Sequence, residues 1–312
     1  MSVTMSLPVH VPVLLDEVIA ALQPRRGDCF IDCTVGLGGH AAAILEQISP
    51  SGRLLGIDAD PEAIKASHDR LSDYGKAVTL VNDNFVNLEA ISRRYHFHPV
   101  DGILLDLGVS SLQLDTAERG FSFHLDAPLD MRFDPGQGLT ASDIVNRFSE
   151  QELAKLMERY GEERHSRRIA RNIVQNRPVA TTVELARLVE QVSGGKRARI
   201  HPATRTFMAL RIAVNSELQN LELALKVTPN LLRPGGRLTV ISYHSLEDRI
   251  VKQFMRYAAS SCLCPPGTIV CRCGQVPTLK LISRKVIRPT SLETESNPRS
   301  RSAKLRIAER LN

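Results

Sequence analysis

Phe30-Ile31-Asp32-Cys33-Thr34-Val35-Gly36-Leu37-Gly38-Gly39-His40 reads as an apolar strand running into a glycine-rich turn, and the helix-prone run Ala41 to Ile48 follows directly. Glycine accepts positive φ and lets a ligand come close to the backbone. The first turn of the helix leaves its N–H groups unpaired and pointing at whatever sits in that turn. The companion signal is Arg53-Leu54-Leu55-Gly56-Ile57-Asp58, a second apolar strand that ends in a carboxylate 22 residues after Gly36. An acid about 20 residues past a glycine turn is placed to accept hydrogen bonds from ribose hydroxyls. The pair points to an adenosine-containing ligand at the carboxyl edge of a parallel sheet.

Outward from this stretch, strands are expected near 28–33, 53–58, 77–81 and 100–105, alternating with helices over 39–48, 61–71 and 87–94. Asp60-Pro61 opens the second of these helices, with Asp as cap and Pro in the first position. Strands alternating with helices make a doubly wound, mostly parallel sheet. From about Leu112 to Thr204 no strand pattern appears; helices are expected over Ser149–Tyr160, Glu162–Gln175 and Thr182–Val192. One long helix, Thr206–Lys226, then returns the chain to the sheet. A strand over Leu238–Ser242, a helix over Leu246–Tyr257 and edge strands within 278–286 and 302–310 complete the pattern. The expected organisation is a discontinuous α/β domain, 1–112 and 205–312, interrupted by a helical insertion, 113–204.

At 312 residues, 43% of them hydrophobic, the chain can bury a sizeable core. No run approaches the ~18 apolar residues of a membrane span. Met1–His10 lacks the basic-then-apolar layout of a secretory leader, so a cytoplasmic protein is expected. The net charge of +6 is unevenly spread: residues 249–312 carry 13 Lys/Arg against 3 Asp/Glu, and residues 150–205 carry 12 against 7, which leaves the remainder at −9. Segregated basic zones suit a polyanion. Aromatics make up only 4% and Trp is absent, which argues against an extended base-stacking platform.

Gly36-Leu37-Gly38-Gly39-His40-Ala41 also satisfies G-x-G-x-x-A, the dinucleotide fingerprint, so a nicotinamide-linked oxidoreductase is a competing reading. Three features favour S-adenosylmethionine. Asp32, four residues before Gly36, can meet an ammonium group, which NAD lacks. Asp106 is a third acid at a strand end. Leu231–Val240, with Pro-Gly-Gly before a strand, suits the reversed final strand of a methyltransferase sheet.

The chain resembles the RsmH (MraW) family of bacterial 16S rRNA cytosine-N4 methyltransferases. The matching segments are His10-Val11-Pro12-Val13-Leu14-Leu15-Asp16-Glu17, Asp32-x-Thr34-x-Gly36-x-Gly38-Gly39-His40 and Asp101-Gly102-Ile103-Leu104-Leu105-Asp106-Leu107-Gly108-Val109-Ser110-Ser111. Others are Glu118-Arg119-Gly120-Phe121-Ser122-Phe123, Leu129-Asp130-Met131-Arg132, Tyr160-Gly161-Glu162-Glu163-Arg164 and His201-Pro202-Ala203-Thr204-Arg205-Thr206-Phe207. Tyr243-His244-Ser245-Leu246-Glu247-Asp248-Arg249 and Asn297-Pro298-Arg299 close the series, which spans nearly the whole chain. The resemblance implies a class I methyltransferase fold that uses S-adenosylmethionine. It further implies methylation of the exocyclic amine of one cytidine in the decoding region of 16S rRNA, on naked RNA or the small ribosomal subunit. By motif, cofactor contacts fall on Gly38, Gly39, His40, Asp58, Phe85, Asp106 and Gln113, and the insertion helps to bind RNA. A non-catalytic RNA-binding or assembly factor that keeps the cofactor fold is the alternative, and monomer or homodimer is left open.

The N4 lone pair of cytosine is delocalised into the ring, so the enzyme must align it and stabilise the charge that develops on it. Asp106 is the candidate catalytic residue, with a purely cofactor-facing role as the other reading. Many DNA amino-methyltransferases carry Asp/Asn/Ser-Pro-Pro-Tyr/Phe after this strand; here Asp-Leu-Gly-Val-Ser-Ser offers no stacking ring, so Phe121, Phe123 or Tyr243 must supply one. His244, Ser245 and Asp248 invite a hydrolase reading, but no G-x-S-x-G elbow is present. Cys262, Cys264, Cys271 and Cys273 form C-x-C-x6-C-x-C. This is not the C-x2-C knuckle, and the resemblance supplies no metal, so free or redox-labile thiols are expected, with zinc as the alternative. Arg164, Arg167, Arg168 and Arg171 share one helical face and form a candidate phosphate ridge; the competing reading is a solvated face paired with Glu162 and Glu163.

Overall fold

The structure is a computed structural model that describes residues 11–193, 201–265, 270–283 and 285–312. The leader reading of Met1–His10, His10 of the first matching segment and the basic residues Lys196, Arg197, Arg199 and Arg284 lie outside the described residues. The chain divides into two compact units, residues 1–108 with 220–312, and residues 109–219.

The first unit is built on a seven-stranded sheet: β1 (Cys29–Asp32), β2 (Arg53–Asp58), β3 (Val78–Asn82), β4 (Val100–Asp106), β5 (Leu232–Ser242), β6 (Leu279–Leu281) and β7 (Lys304–Arg310). Their spatial order is β3-β2-β1-β4-β5-β7-β6. Pairings from β3 through β5 are parallel; β7 runs antiparallel between β5 and β6. This is the class I methyltransferase sheet expected from the sequence. The strand after Pro234-Gly235-Gly236 is not the reversed one: Leu238 lies opposite Ile103 in parallel register. A strand reached through a crossover helix enters the sheet in the direction of the strand before it; the reversed strand is β7.

Helices α1 (Leu15–Leu22), α2 (Gly39–Ile48), α3 (Pro61–Leu71) and α4 (Leu88–Arg94) belong to the sheet unit. Both sheet faces are covered, so the strands read as nearly continuous apolar runs. Ile31, Leu55, Ile57, Ile103, Leu105, Leu238 and Val240 pack on one side, and Phe30, Leu54, Leu104 and Ile241 on the other with Leu45 and Ile48 of α2. Adjacent residues of a strand feed opposite cores because their side chains alternate.

The second unit is helical: α5 (Ser111–Asp115), α6 (Ala141–Arg147), α7 (Glu150–Gly161), α8 (Ser166–Gln175), α9 (Thr182–Ser193) and α10 (Ala203–Asn215). Its own core gathers Leu153, Met157, Ile169, Ile173, Leu185, Val189, Phe207 and Leu210. Ser149 and Glu152 form a capping box that starts α7. The helix expected from Glu162 starts at Ser166, because Glu162 takes a left-handed conformation (φ 48°) that ends α7. The single helix expected over Thr206–Lys226 is two, α10 and α11 (Glu217–Leu231), divided at Ser216 with φ 50°. Asn215 accounts for the break: its amide accepts from Phe133 N–H at 2.7 Å and donates to the Met131 carbonyl at 2.8 Å. Arg211 meets Glu217 across the break through two bonds of 2.7 and 2.8 Å. Consequently α10 packs within the helical unit, and the chain re-enters the sheet unit at Asn220. The remaining helices, α12 (Ser245–Ala258) and α13 (Ser291–Ser296), are in the sheet unit. Among the described residues no helix is long and apolar enough to cross a membrane.

Candidate cofactor crevice and active site

The glycine turn is tied to the tips of two neighbouring strands. Val35 N–H donates to the Ile57 carbonyl at 2.9 Å, and Gly36 N–H to Asp58 Oδ2 at 2.9 Å. On the other side, Thr34 Oγ1 accepts from Asp106 N–H at 2.7 Å, while Thr34 N–H donates to Asp32 Oδ1 at 3.1 Å. Gly38 caps α2 in the left-handed region (φ 74°). At Gly39, a Cβ would stand 2.4 Å from Pro12 Cγ, so only glycine lets the segment before α1 pack there. The turn therefore uses one glycine for conformation and another for close approach.

Three carboxylates sit at this edge. Asp32 ends β1 and is 1% exposed. Asp58 ends β2, and its second oxygen accepts from Asp60 N–H at 2.9 Å. Asp106 ends β4 and accepts from the Tyr243 hydroxyl at 2.8 Å. Burial pushes Asp32 up to about 7, Asp58 to about 6 and Asp106 to about 7; backbone and hydroxyl donors oppose the shift without cancelling it. Among the described residues no lysine or arginine pairs with any of the three. His40 is the nearest basic group. It is buried at the start of α2, with Nε2 3.0 Å from the Val13 carbonyl and Nδ1 3.7 Å from Asp106 Oδ2. Withdrawing carboxylates from water without a basic partner is costly, and a cation placed beside them offsets that cost.

Phe85 opens a short 3-10 turn just past β3, half-buried against the sheet core, beside the tip of β2. The glycine turn, His40, Asp58, Phe85 and Asp106 thus all belong to the sheet unit. Gln113 belongs to the helical unit, where it is buried and its side chain accepts from Ser110 N–H at 3.0 Å in the capping box of α5.

Of the candidate stacking rings, Phe121 is buried in the helical core, stacked on Phe133 at 5.6 Å, and Phe123 stacks on His201 at 4.4 Å. Both are engaged in the packing of their own unit. Tyr243 differs. It follows β5, its ring packs against Gly108, and it bonds Asp106. Burial, with Asp106 adding to it, holds the Tyr243 phenol well above the ordinary range. The bond follows from strand register, Asp106 lying opposite Ile241, two residues before Tyr243. His244 caps α12, where its ring meets Glu247, and Ser245 is the first helical residue; the pair is a helix start and no hydrolytic dyad. Glu247 is buried and accepts from Tyr243 N–H at 2.9 Å.

On α8, Ile169, Ala170 and Ile173 face the helical core, while Arg167, Arg168 and Arg171, together with Arg164 just before the helix, are exposed. Arg171 reaches Glu150 at 3.4 Å across two exposed side chains. Among the described residues the other three form no ion pair. Glu163 is instead buried and accepts from His165 N–H, so it does not neutralise the ridge.

A family model, the MraW methylase family, matches residues 8–311. The chain is 57% identical over 302 residues to the ribosomal RNA small subunit methyltransferase H of Dehalococcoides mccartyi, covering 97% of this chain and 86% of that one. It is 53% identical to the protein of the same name from Thermomicrobium roseum (97% and 94% covered) and 51% to that of Syntrophotalea carbinolica (97% and 98%). With its sheet order, its glycine turn and these relatives, the chain belongs to the MraW methylase family.

Proposed function

We propose that the chain transfers a methyl group from S-adenosylmethionine to the exocyclic N4 of a cytidine in the decoding region of 16S rRNA, in the cytoplasm, on the RNA alone or on the small ribosomal subunit. The observation that carries this reading is the set of three carboxylates around the glycine turn, Asp32 buried and Asp58 and Asp106 half-buried, that no lysine or arginine of the described residues pairs. The residues fit the donor, which brings a sulfonium and an ammonium group to an edge short of positive charge. When bound, it supplies an electrophilic methyl group.

The chain's own residues divide the rest. Gly38 and Gly39 hold the turn open beside the first N–H groups of α2. Asp58 has acceptor capacity left for ribose hydroxyls beyond the backbone N–H groups it already holds. Phe85 offers a face for the adenine ring. Asp32 neutralises the ammonium end, and His40 orients Asp106. Gln113 enters this assignment from the family motif alone. The 113–204 insertion presents the α8 arginines to RNA phosphates.

Methyl transfer leaves N4 with a proton to lose. Asp106, held near 7 by burial, suits the proton acceptor, because a base works best when its pKa lies near the working pH. The Tyr243 hydroxyl steadies the ionised form and fixes its direction. Methylation assays on small ribosomal subunits with the wild-type protein and Asp106→Asn test the reading. Transfer to cytidine N4 by the wild type supports it. Tight RNA binding with no transfer by the wild type would instead establish an assembly factor.

A further inference from the structure

The chain leaves α12 at Ala258 and rejoins the sheet at Thr278, where Thr278 N–H donates to the Ala258 carbonyl at 2.8 Å. Gln275 adds a bond to the Tyr257 carbonyl at 3.3 Å. Between these ties the described residues supply no apolar core: Leu263, Val270 and Val276 are all exposed. A long excursion of this kind needs some other source of order.

The four cysteines supply it. Their spacing as C-x-C pairs argues locally against a zinc knuckle, but the fold brings the two pairs together. The Sγ–Sγ separations are 3.4 Å for Cys262–Cys271, 3.8 Å for Cys264–Cys271, 3.5 Å for Cys271–Cys273 and 3.9 Å for Cys262–Cys273. All four sulfurs lie within 4.8 Å of one another. A tetrahedron with metal–sulfur bonds of ~2.3 Å has an edge of about 3.8 Å. Disulfides are a different arrangement, with sulfurs ~2.0 Å apart; all four cysteines are free. A multi-iron cluster distributes its thiolates over separate irons and holds them farther apart. Backbone donors already face the sulfurs: Leu263 N–H points to Cys273 Sγ at 3.3 Å and Cys264 N–H to Cys262 Sγ at 3.4 Å. Such donors stabilise metal-bound thiolates and fix their orientation.

We propose that Cys262, Cys264, Cys271 and Cys273 form a tetrathiolate site for one zinc ion that folds the loop between α12 and β6. With four protein ligands the site is closed and has a structural role, separate from methyl transfer. Binding requires all four thiols to lose their protons, so loading weakens as pH falls.

The test uses the full chain, purified under reducing conditions without chelator and then analysed for metal before and after incubation with stoichiometric zinc. About one zinc per chain is expected in the wild type and in Cys29→Ala, and less than about a tenth in the Cys262→Ser/Cys264→Ser/Cys271→Ser/Cys273→Ser variant. Cobalt substituted into the wild type should show the visible bands of a tetrahedral tetrathiolate. In case the variant misfolds, chelation of the wild type provides a second arm: it should open the 259–277 segment to protease and leave the rest protected. Zinc below a tenth of an equivalent in the reconstituted wild type would overturn the proposal. So would iron in its place, zinc retained by the variant, or an unreduced mass lower by two hydrogens per bridge.

Discussion

The strand-tip crevice and the α8 arginine ridge handle charge in opposite ways. The crevice buries Asp32, half-buries Asp58 and Asp106, and gives them no lysine or arginine among the described residues. The ridge leaves its guanidinium groups exposed, with one loose contact between Arg171 and Glu150. A small cation meets a few desolvated groups whose individual contributions are large and insensitive to salt. A polyanion meets many solvated groups whose contributions are small, similar to one another and screened. Large effects of single substitutions therefore belong in the crevice, and cumulative, salt-dependent effects on the ridge.

The largest effect is expected at Asp106. Asp106→Asn should slow single-turnover methylation by about 10²–10⁴-fold, with a much smaller change in cofactor affinity. Equal losses in rate and affinity would restrict Asp106 to holding the cofactor. Next comes Asp58→Ala, for which calorimetry should show S-adenosylmethionine binding weakened by roughly 10–100-fold, the range for a hydrogen-bonded charged group. Unchanged uptake would break the assignment of the ribose site.

A pH series sharpens the contrast further. Asp32, Asp58 and Asp106 take up protons below about 7, 6 and 7. Neutral carboxyls do not attract a sulfonium, so cofactor affinity should fall between about pH 8 and pH 5, and binding in that range should release protons. In the ligand-free protein the sign reverses. Raised folded-state values contribute stability at acid pH that is lost as pH climbs through about 6 to 7, so removing the acids should flatten that slope. Cofactor affinity that is level across this window would contradict the cation-complementary edge.

The smallest single effects belong to the ridge. Replacing Arg167, Arg168 and Arg171 together by Gln should reduce the slope of log affinity against log salt by about 2–3, with only a modest loss per residue. An unchanged slope removes α8 from the RNA surface.

The two regions also differed in how far sequence reading could reach. The glycine turn, the acids at the ends of β1, β2 and β4, and the Asp60 cap that accepts from Glu62 N–H at 3.1 Å are local chemistry, written within a few residues. The Asp106–Tyr243 bond is not local; it depends on β4 and β5 being neighbours in a given register. The direction of the strand after Pro234 required knowing that β7 enters between β5 and β6. In the helical unit, hydrophobic periodicity runs through Ser216 without a sign of the break, because the cause is Asn215 holding a loop more than eighty residues earlier. Likewise, the C-x-C spacing does not show that the two cysteine pairs meet, since only the folded loop sets one against the other.

The bond between Thr278 N–H and the Ala258 carbonyl closes the cysteine loop at its root. Whatever lies outward of that clasp can change in length or content while α12 and β6 keep their places. The clasp therefore marks a port where a fluorophore, an affinity handle or a foreign module could be grafted without disturbing the catalytic scaffold.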